Sequence, residues 1–191
     1  IDLAISTANA IGYPVMIKAV YGGGGKWIRK VHSDDDLRAS FDLMSREATE
    51  SFGNGSMYME KAVENQRHIE VQVFADIHGN TISLWVRDCT TQRSKQKIIE
   101  ETGDLGIKSQ LLTRLQGIAV AVAKNIGYVG AGTFEFLYDP EKEIFTFMEM
   151  NTRIQVEHTI TERYLNDTMN QGINLVELQF QVAEWKTHPI F

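Results

Sequence analysis

The stretch from Phe145 to His158, Phe-Thr-Phe-Met-Glu-Met-Asn-Thr-Arg-Ile-Gln-Val-Glu-His, narrows the fold more than any other part of the chain. An apolar run at Phe145, Phe147 and Met148 reads as a buried strand. It leads directly into Glu149, Asn151, Arg153, Gln155 and Glu157, polar residues of one parity. Side chains alternate along an extended segment, so these residues line one face while Met148, Met150, Ile154 and Val156 line the other. Carboxylates, amides and a guanidinium in one row can hold a metal ion, clamp an anion and supply a base. A purely structural strand needs none of that.

The preceding segment supplies a partner. Gly130-Ala131-Gly132 feeds a strand over Thr133 to Tyr138, in which Glu135 lies between Phe134 and Phe136 and points away from them. A turn from Asp139-Pro140 to Glu143 returns the chain, so Glu135 and Glu149 fall on adjoining hairpin strands. Glu135, Glu149 and the amide oxygen of Asn151 are hard oxygen ligands suited to Mg2+ or Mn2+; an exposed acidic sheet face is the plainer alternative. The histidines are scattered through the sequence and the only cysteine is Cys89, so no zinc-type cluster is expected and Cys89 reads as a core residue.

Earlier in the chain, a helical period over residues 1 to 11 ends at Gly12 and Pro14, and Val15 to Val20 is a strand candidate carrying Lys18. Gly22 to Gly25 follow, then a second strand candidate from Trp27 to Val31. Strand, glycine loop, strand is neither a P-loop nor a dinucleotide-binding turn, since no Gly-Lys-Ser/Thr and no helix follows the glycines. The loop suits nucleotide phosphates or a plain flexible turn. Ser33 with Asp34, Asp35 and Asp36 marks a helix start, the acids serving as capping groups rather than as a metal site, and the helix runs to Phe52. Met57 to Val63 is a further strand.

From His68 the chain alternates, with Ile69, Val71 and Val73 against Glu70 and Gln72, and returns as Thr81 to Val86: a half-buried hairpin. Arg93, Lys95 and Lys97 at period two form a cationic edge in an extended chain, which solvated edge strands also show. Leu111, Leu115, Ile118 and Val122, supplemented by Leu112, Ala119 and Ile126, define an amphipathic helix closed by Gly127. Thr161 opens a polar connection, and Leu175 to Ala183 is a last helix.

With 191 residues, 43% hydrophobic, the chain can bury a proper core, and a net charge of −6 argues against nucleic acid or an anionic membrane surface as partner. One cysteine and the lack of a membrane-length apolar run suggest a cytoplasmic setting, or the mitochondrial matrix in a eukaryote. Starting at Ile1 and stopping at Phe191, the chain reads as a piece of a longer one.

The run Glu149 to His158, Arg87-Asp88-Cys89 with Gln92-Arg93, Met59-Glu60-Lys61 and Arg67-His68 together resemble biotin carboxylase, an ATP-grasp enzyme and the ATP-using component of acetyl-CoA, propionyl-CoA and pyruvate carboxylases. The resemblance covers nearly the whole chain. It implies an α+β, ATP-grasp fold of two lobes with antiparallel sheets enclosing a nucleotide site. Residues 1–65 would form the small lobe and 66–191 the large one, without the family's flanking domains.

By that resemblance Lys18, Gly24 and Gly25 hold ATP phosphates, Glu60, Lys61, Ala62 and Val63 the adenine, and His68 the ribose side. Gln92 and Lys95 lie in the nucleotide-contacting stretch. Glu135, Glu149 and Asn151 hold Mg2+ or Mn2+. Lys97, Arg153, Gln155 and the backbone of Val156 bind bicarbonate. Glu157 removes its proton, and Arg153 stabilises charge as biotin is carboxylated. Biotin on a carrier domain or protein and a carboxyltransferase component are the implied partners, and a homodimer is compatible with the resemblance.

The chain departs from the family pattern at Tyr21 and Trp27, which replace glycines of the loop and add bulk where backbone must approach ATP. It departs also at Lys95 in place of a histidine and at Thr159 in place of a proline. An ATP-grasp ligase of the carbamoyl-phosphate synthetase type and a diverged, inactive nucleotide-binding paralogue are the alternatives.

Overall fold

Alternation at Val15, Ile17 and Ala19 buries one side of a strand, β1 (Val15–Ala19), in a computed structural model that describes residues 1–22, 25–94, 96–170 and 172–184. β1 is the middle of a three-stranded antiparallel sheet between β2 (Ile28–Val31) and β3 (Met57–Lys61). Helices α1 (Asp2–Ile11) and α2 (Asp34–Phe52) complete the core, where Ala8, Leu37 and Met44 pack with Val15, Ile17 and Val31. The acidic run caps α2 as expected: the Ser33 hydroxyl accepts from Asp36 N at 3.2 Å, and the Asp36 carboxylate accepts from His32 N at 2.9 Å. Trp27 belongs to a 3-10 turn (Gly25–Trp27) rather than to the second strand, and its side chain is buried with Ala19 and Ala48. These elements, Ile1–Asn65 with Ser94–Gln96, form one compact unit; Gln66–Arg93 and the chain from Lys97 on form another.

The second unit is built on a five-stranded sheet in the order β6-β5-β4-β7-β8. The strands are β4 (Arg67–Ala75), β5 (Thr81–Arg93), β6 (Gln96–Thr102), β7 (Gly130–Asp139) and β8 (Ile144–Asn151). Helix α3 (Ser109–Asn125) covers one face, its Leu112, Leu115, Ala119 and Ala123 clustering with Ile69, Val71, Val73, Phe134 and Phe136. On the other face Phe74, Leu84 and Ala131 cluster with Leu165 of α4 (His158–Met169) and with Leu175, Leu178 and Val182 of α5 (Leu175–Ala183). Among the described residues no helix is long and apolar enough to cross a membrane.

Several expectations change. The β4/β5 hairpin is not half-buried: with helices on both faces, Glu70 and Gln72 are fully buried alongside Ile69 and Val71. Of the apolar face expected for α3, Leu112, Leu115 and Ala119 look inward together with Ala123, while Ile118, Val122 and Ile126 are exposed; small alanines let the helix pack close to the sheet. The connection expected after His158 is α4, with Thr161 and Leu165 buried one turn apart. β8 is an edge strand rather than a buried one, and Phe147 is 56% exposed.

Candidate functional site

Parity does not carry through the stretch from Phe145 to Glu157, and two local features replace it. The β7/β8 ladder pairs Phe136 with Phe147 but Glu135 with Glu149, so Met148 is an extra residue on β8. Directly opposed residues share a face, so this bulge sends Phe147 to the α3 side with Phe136 and returns Glu149 to the side of Glu135. β8 then ends at Asn151, opposite Thr133, and the chain turns before α4 begins at His158. Gln155 and Glu157 therefore reach the face of Glu135 from a turn rather than from a continuous row. A second bulge lies on β5, where Val71 pairs with Val86 and Val73 with Ser83, and Trp85 there takes φ 82°.

What converges is a cluster of charged side chains on the polar half of the sheet face. Glu135, 5% exposed, accepts at Oε1 from Asn151 Nδ2 (2.7 Å), Gln155 Nε2 (3.0 Å) and Lys97 Nζ (3.2 Å), and its Oε2 lies 3.0 Å from His68 Nε2. Lys97 also donates to Glu157 Oε1 at 2.5 Å and pairs with Glu70 Oε1. Behind these groups Arg87, fully buried, pairs with Glu70.

Burial alone pushes the Glu135 carboxyl up, but the His68 hydrogen bond, the charges of Lys97 and His68 and the Gln155 amide outweigh it and hold Glu135 at about 2. Glu157 is likewise held below its usual range, burial being overcome by the hydrogen bond and charge of Lys97, by a backbone N–H and by the charge of Arg87. Burial pushes Lys97 down, yet Glu70, Glu135 and Glu157 raise it well above an ordinary lysine. Burial, with Glu70, pushes the Cys89 thiol up, in keeping with a core cysteine and not a nucleophile.

The expected residues are not all gathered here. The basic edge is broken: Arg93 ends β5, Ser94 takes φ 51° and Lys97 lies on β6, so a turn interrupts the period-two row. Arg153 is exposed and donates to Ile154 O at 3.1 Å, outside the cluster, and Val156 is 90% exposed. Glu149 is exposed at its ladder position opposite Glu135. Gln92 donates to Cys89 O (2.8 Å), and its amide nitrogen lies 2.7 Å from His68 Nδ1, so both belong to the surroundings of Glu135.

In the first unit Lys18 pairs with Glu60 at 2.5 Å, Lys61 donates to the carbonyls of Gly12 (2.7 Å) and Tyr13 (2.8 Å), and Ala62 is buried while Val63 is exposed. Gly25 opens the 3-10 turn. A Cβ at Gly22 would stand 2.4 Å from Trp27 Cβ, so the tryptophan fills space beneath the loop and makes glycine at 22 a packing requirement. Gly24 and Lys95 lie outside the described residues.

Oxygen donors at ladder-paired positions fit a hard divalent cation. Among the described residues three carboxylates, Glu70, Glu135 and Glu157, also face two permanent cations, Lys97 and Arg87, which leaves negative charge for such an ion. Asn151 presents its NH2 to Glu135, so joint coordination requires that amide to turn over. Scattered in sequence, the histidines nonetheless contribute one member: ligand atoms of His68, Glu70 and Glu135 lie within 4.8 Å of one another.

Glu70, Gln72, Arg87 and Thr161 went unassigned in the sequence. Glu70 and Gln72 looked like the solvated half of an alternating strand. The signal that would have found them is opposite charge at facing positions, since β4 and β5 pair Glu70 with Arg87.

A family described as carbamoyl-phosphate synthase L chain, ATP binding domain, matches residues 1–189. The chain is 46% identical over 183 residues to biotin carboxylase 1 of Bacillus subtilis, covering 96% of this chain and 39% of that protein. A biotin carboxylase structure from Campylobacter jejuni, described as a complex with β,γ-ATP, superposes with a TM-score of 0.89 at 46% identity over 98% of this chain and 41% of the other. The biotin carboxylase domain dimer of Hydrogenobacter thermophilus 2-oxoglutarate carboxylase, in complex with MgADP, ADP and bicarbonate, gives 0.89 at 40% identity over 98% and 40% of the two chains. The chain thus spans about two fifths of the length of these relatives.

Proposed function

The chain belongs to the carbamoyl-phosphate synthase L chain ATP-binding domain family and has the ATP-grasp fold of biotin carboxylase, and from that premise we propose that it serves the ATP-dependent carboxylation of biotin. Bicarbonate loses its proton and attacks the γ-phosphorus of ATP, ADP leaves, and the carboxyphosphate so formed passes its carboxyl group to N1 of biotin, the released phosphate taking up the N1 proton. The observation that carries the reading is Lys97, which touches both Glu135 and Glu157 and so joins the metal-side carboxylate to the assigned base.

Glu135, Glu149 and Asn151 would hold Mg2+ or Mn2+, which supplies charge neutralisation on the transferred phosphoryl group. Lys97, Gln155, the Val156 backbone and Arg153, once it turns inward, bind bicarbonate. Glu157 is the base. While Lys97 donates to it, Glu157 is held below its ordinary range and is the weaker base for it. A bicarbonate anion that draws the Lys97 ammonium to itself raises Glu157 toward the range a base needs, so substrate binding switches the base on.

Lys18 with Gly24 and Gly25 is assigned to phosphates, Glu60 to Val63 to adenine, and His68, Gln92 and Lys95 to the nucleotide; these rest on the family resemblance. Biotin on a carrier and a carboxyltransferase component are the proposed partners.

The test is ATP cleavage by the whole protein with and without bicarbonate and free biotin. Cleavage is expected to need bicarbonate and to rise with biotin. Glu157→Gln should keep Mg·ATP affinity and lose the bicarbonate-dependent turnover; a variant that cleaves ATP at the unaltered rate removes Glu157 from the reaction. The family's own description favours a second reading, a ligase of the carbamoyl-phosphate synthetase type, which bicarbonate-dependent cleavage indifferent to biotin would select.

A further inference from the structure

Arg87 is fully buried yet touches neither solvent nor a described apolar partner with its charge: every guanidinium nitrogen is spent on a side chain. Nε and Nη2 donate to Glu70 Oε2 at 3.3 and 3.1 Å. Nη2 also donates to Gln155 Oε1 at 3.0 Å and Thr133 Oγ1 at 3.3 Å, while Nη1 donates to Gln72 Oε1 at 2.7 Å and Thr161 Oγ1 at 3.0 Å. One side chain on β5 thereby links β4, β7, the turn before α4 and α4 itself.

Two of these bonds fix groups that face the cluster. Gln155 lies between a group that can only donate, Arg87, and one that as an anion can only accept, Glu135. Its oxygen must meet Arg87 and its NH2 must meet Glu135, so the amide has no alternative flip, and the second N–H is left as a donor of fixed direction. Glu70 is divided in the same way: Oε2 is held by Arg87, which leaves Oε1 for Lys97. A lysine at position 87 would keep the charge but not the planar fork that reaches both at once.

We propose that Arg87 is a positioning residue for bicarbonate: it sets the orientation of Gln155 directly and of Lys97 through Glu70. The proposal rests on the carboxylation reading above. It touches no reacting atom, so its effect is on the anion's binding rather than on that of nucleotide.

The test is steady-state kinetics of the whole protein carrying Arg87→Lys, with folding followed by thermal melting. The KM for bicarbonate is expected to rise on the order of tenfold, as for a lost hydrogen bond to a charged group, with the KM for Mg·ATP unchanged. A merely structural role would lower turnover in proportion to folded protein and leave the bicarbonate KM alone. Should Arg87→Lys not fold, Thr161→Val removes one anchor of Nη1 without touching Gln155 or Glu70, and should raise the same KM about threefold. Normal turnover with an unchanged bicarbonate KM in the folded variants overturns the positioning role alone. An unaltered protein that lacks bicarbonate-dependent ATP cleavage overturns the carboxylation reading, and the positioning role with it.

Discussion

A lysine ammonium has three donors and no acceptor, and Lys97 sets them among Glu70, Glu135 and Glu157, which pair with no other lysine among the described residues. Lys97→Met should therefore destabilise the second unit by about 3–5 kcal/mol at neutral pH, because three buried or half-buried carboxylates lose their shared cation. The deficit, measured by denaturant unfolding, should shrink as the pH is lowered and the carboxylates protonate; a variant as stable as the unaltered chain at neutral pH would show that Lys97 does not balance the cluster. At this scale Gln155 and Glu157 were legible in the run at the end of β8, Glu135 in the hairpin strand before it, and Lys97 through the resemblance. Arg87 and Glu70 were not legible as a pair, because what joins them is a cross-strand register that no single strand records.

Helix α2 shows what local chemistry decides by itself. Ser33 satisfies the orphan N–H of Asp36 at one end while the Asp36 carboxylate ties down His32 N just before the cap, and Gly53 at φ 69° closes the other. Ser33→Ala should cost about 1 kcal/mol, read as a lowered melting temperature of the protein; no change would mean that the Ser33 hydroxyl contributes nothing to the start of the helix. α2 and α5 were therefore readable at both ends, with Asn174 accepting from Glu177 N at 2.9 Å as the cap of α5. α4 was hidden, since only Thr161 and Leu165 are buried and most of its other residues are polar. The Met148 bulge was hidden for a different reason. Alternation counts residues one by one, and an inserted residue reverses the face of everything after it without altering the local composition.

For the whole molecule the cluster predicts a direction of acid sensitivity. Glu135 is lowered from 4.5 to about 2, so its contribution is fully present above pH 4.5 and is lost as pH falls toward 2. On the order of 3 kcal/mol is at stake, with Glu157 adding in the same direction. Unfolding free energy measured from pH 6 downward, a range set by the ordinary carboxylate value, should fall steeply in the unaltered chain and less steeply in Glu135→Gln; parallel slopes would remove Glu135 as the source. The antiparallel character of both sheets was legible from the turns, and strand order was not, because β7 joins β4 from 60 residues away, where Gln72 donates to Gly132 O. That order has a mechanical side. Lys97 on β6 and Glu135 on β7 are separated by β5 and β4, about 14 Å across a flat sheet, and side chains standing off a flat surface would not meet over that span. They meet at 3.2 Å, so the long lysine side chain leans over the two strands between, where a bulge on β5 and another on β8 add twist. The ion cluster is thus a tie laid across strands that are not neighbours, and whatever anion or cation enters it acts on how those strands are held together as well as on the charges.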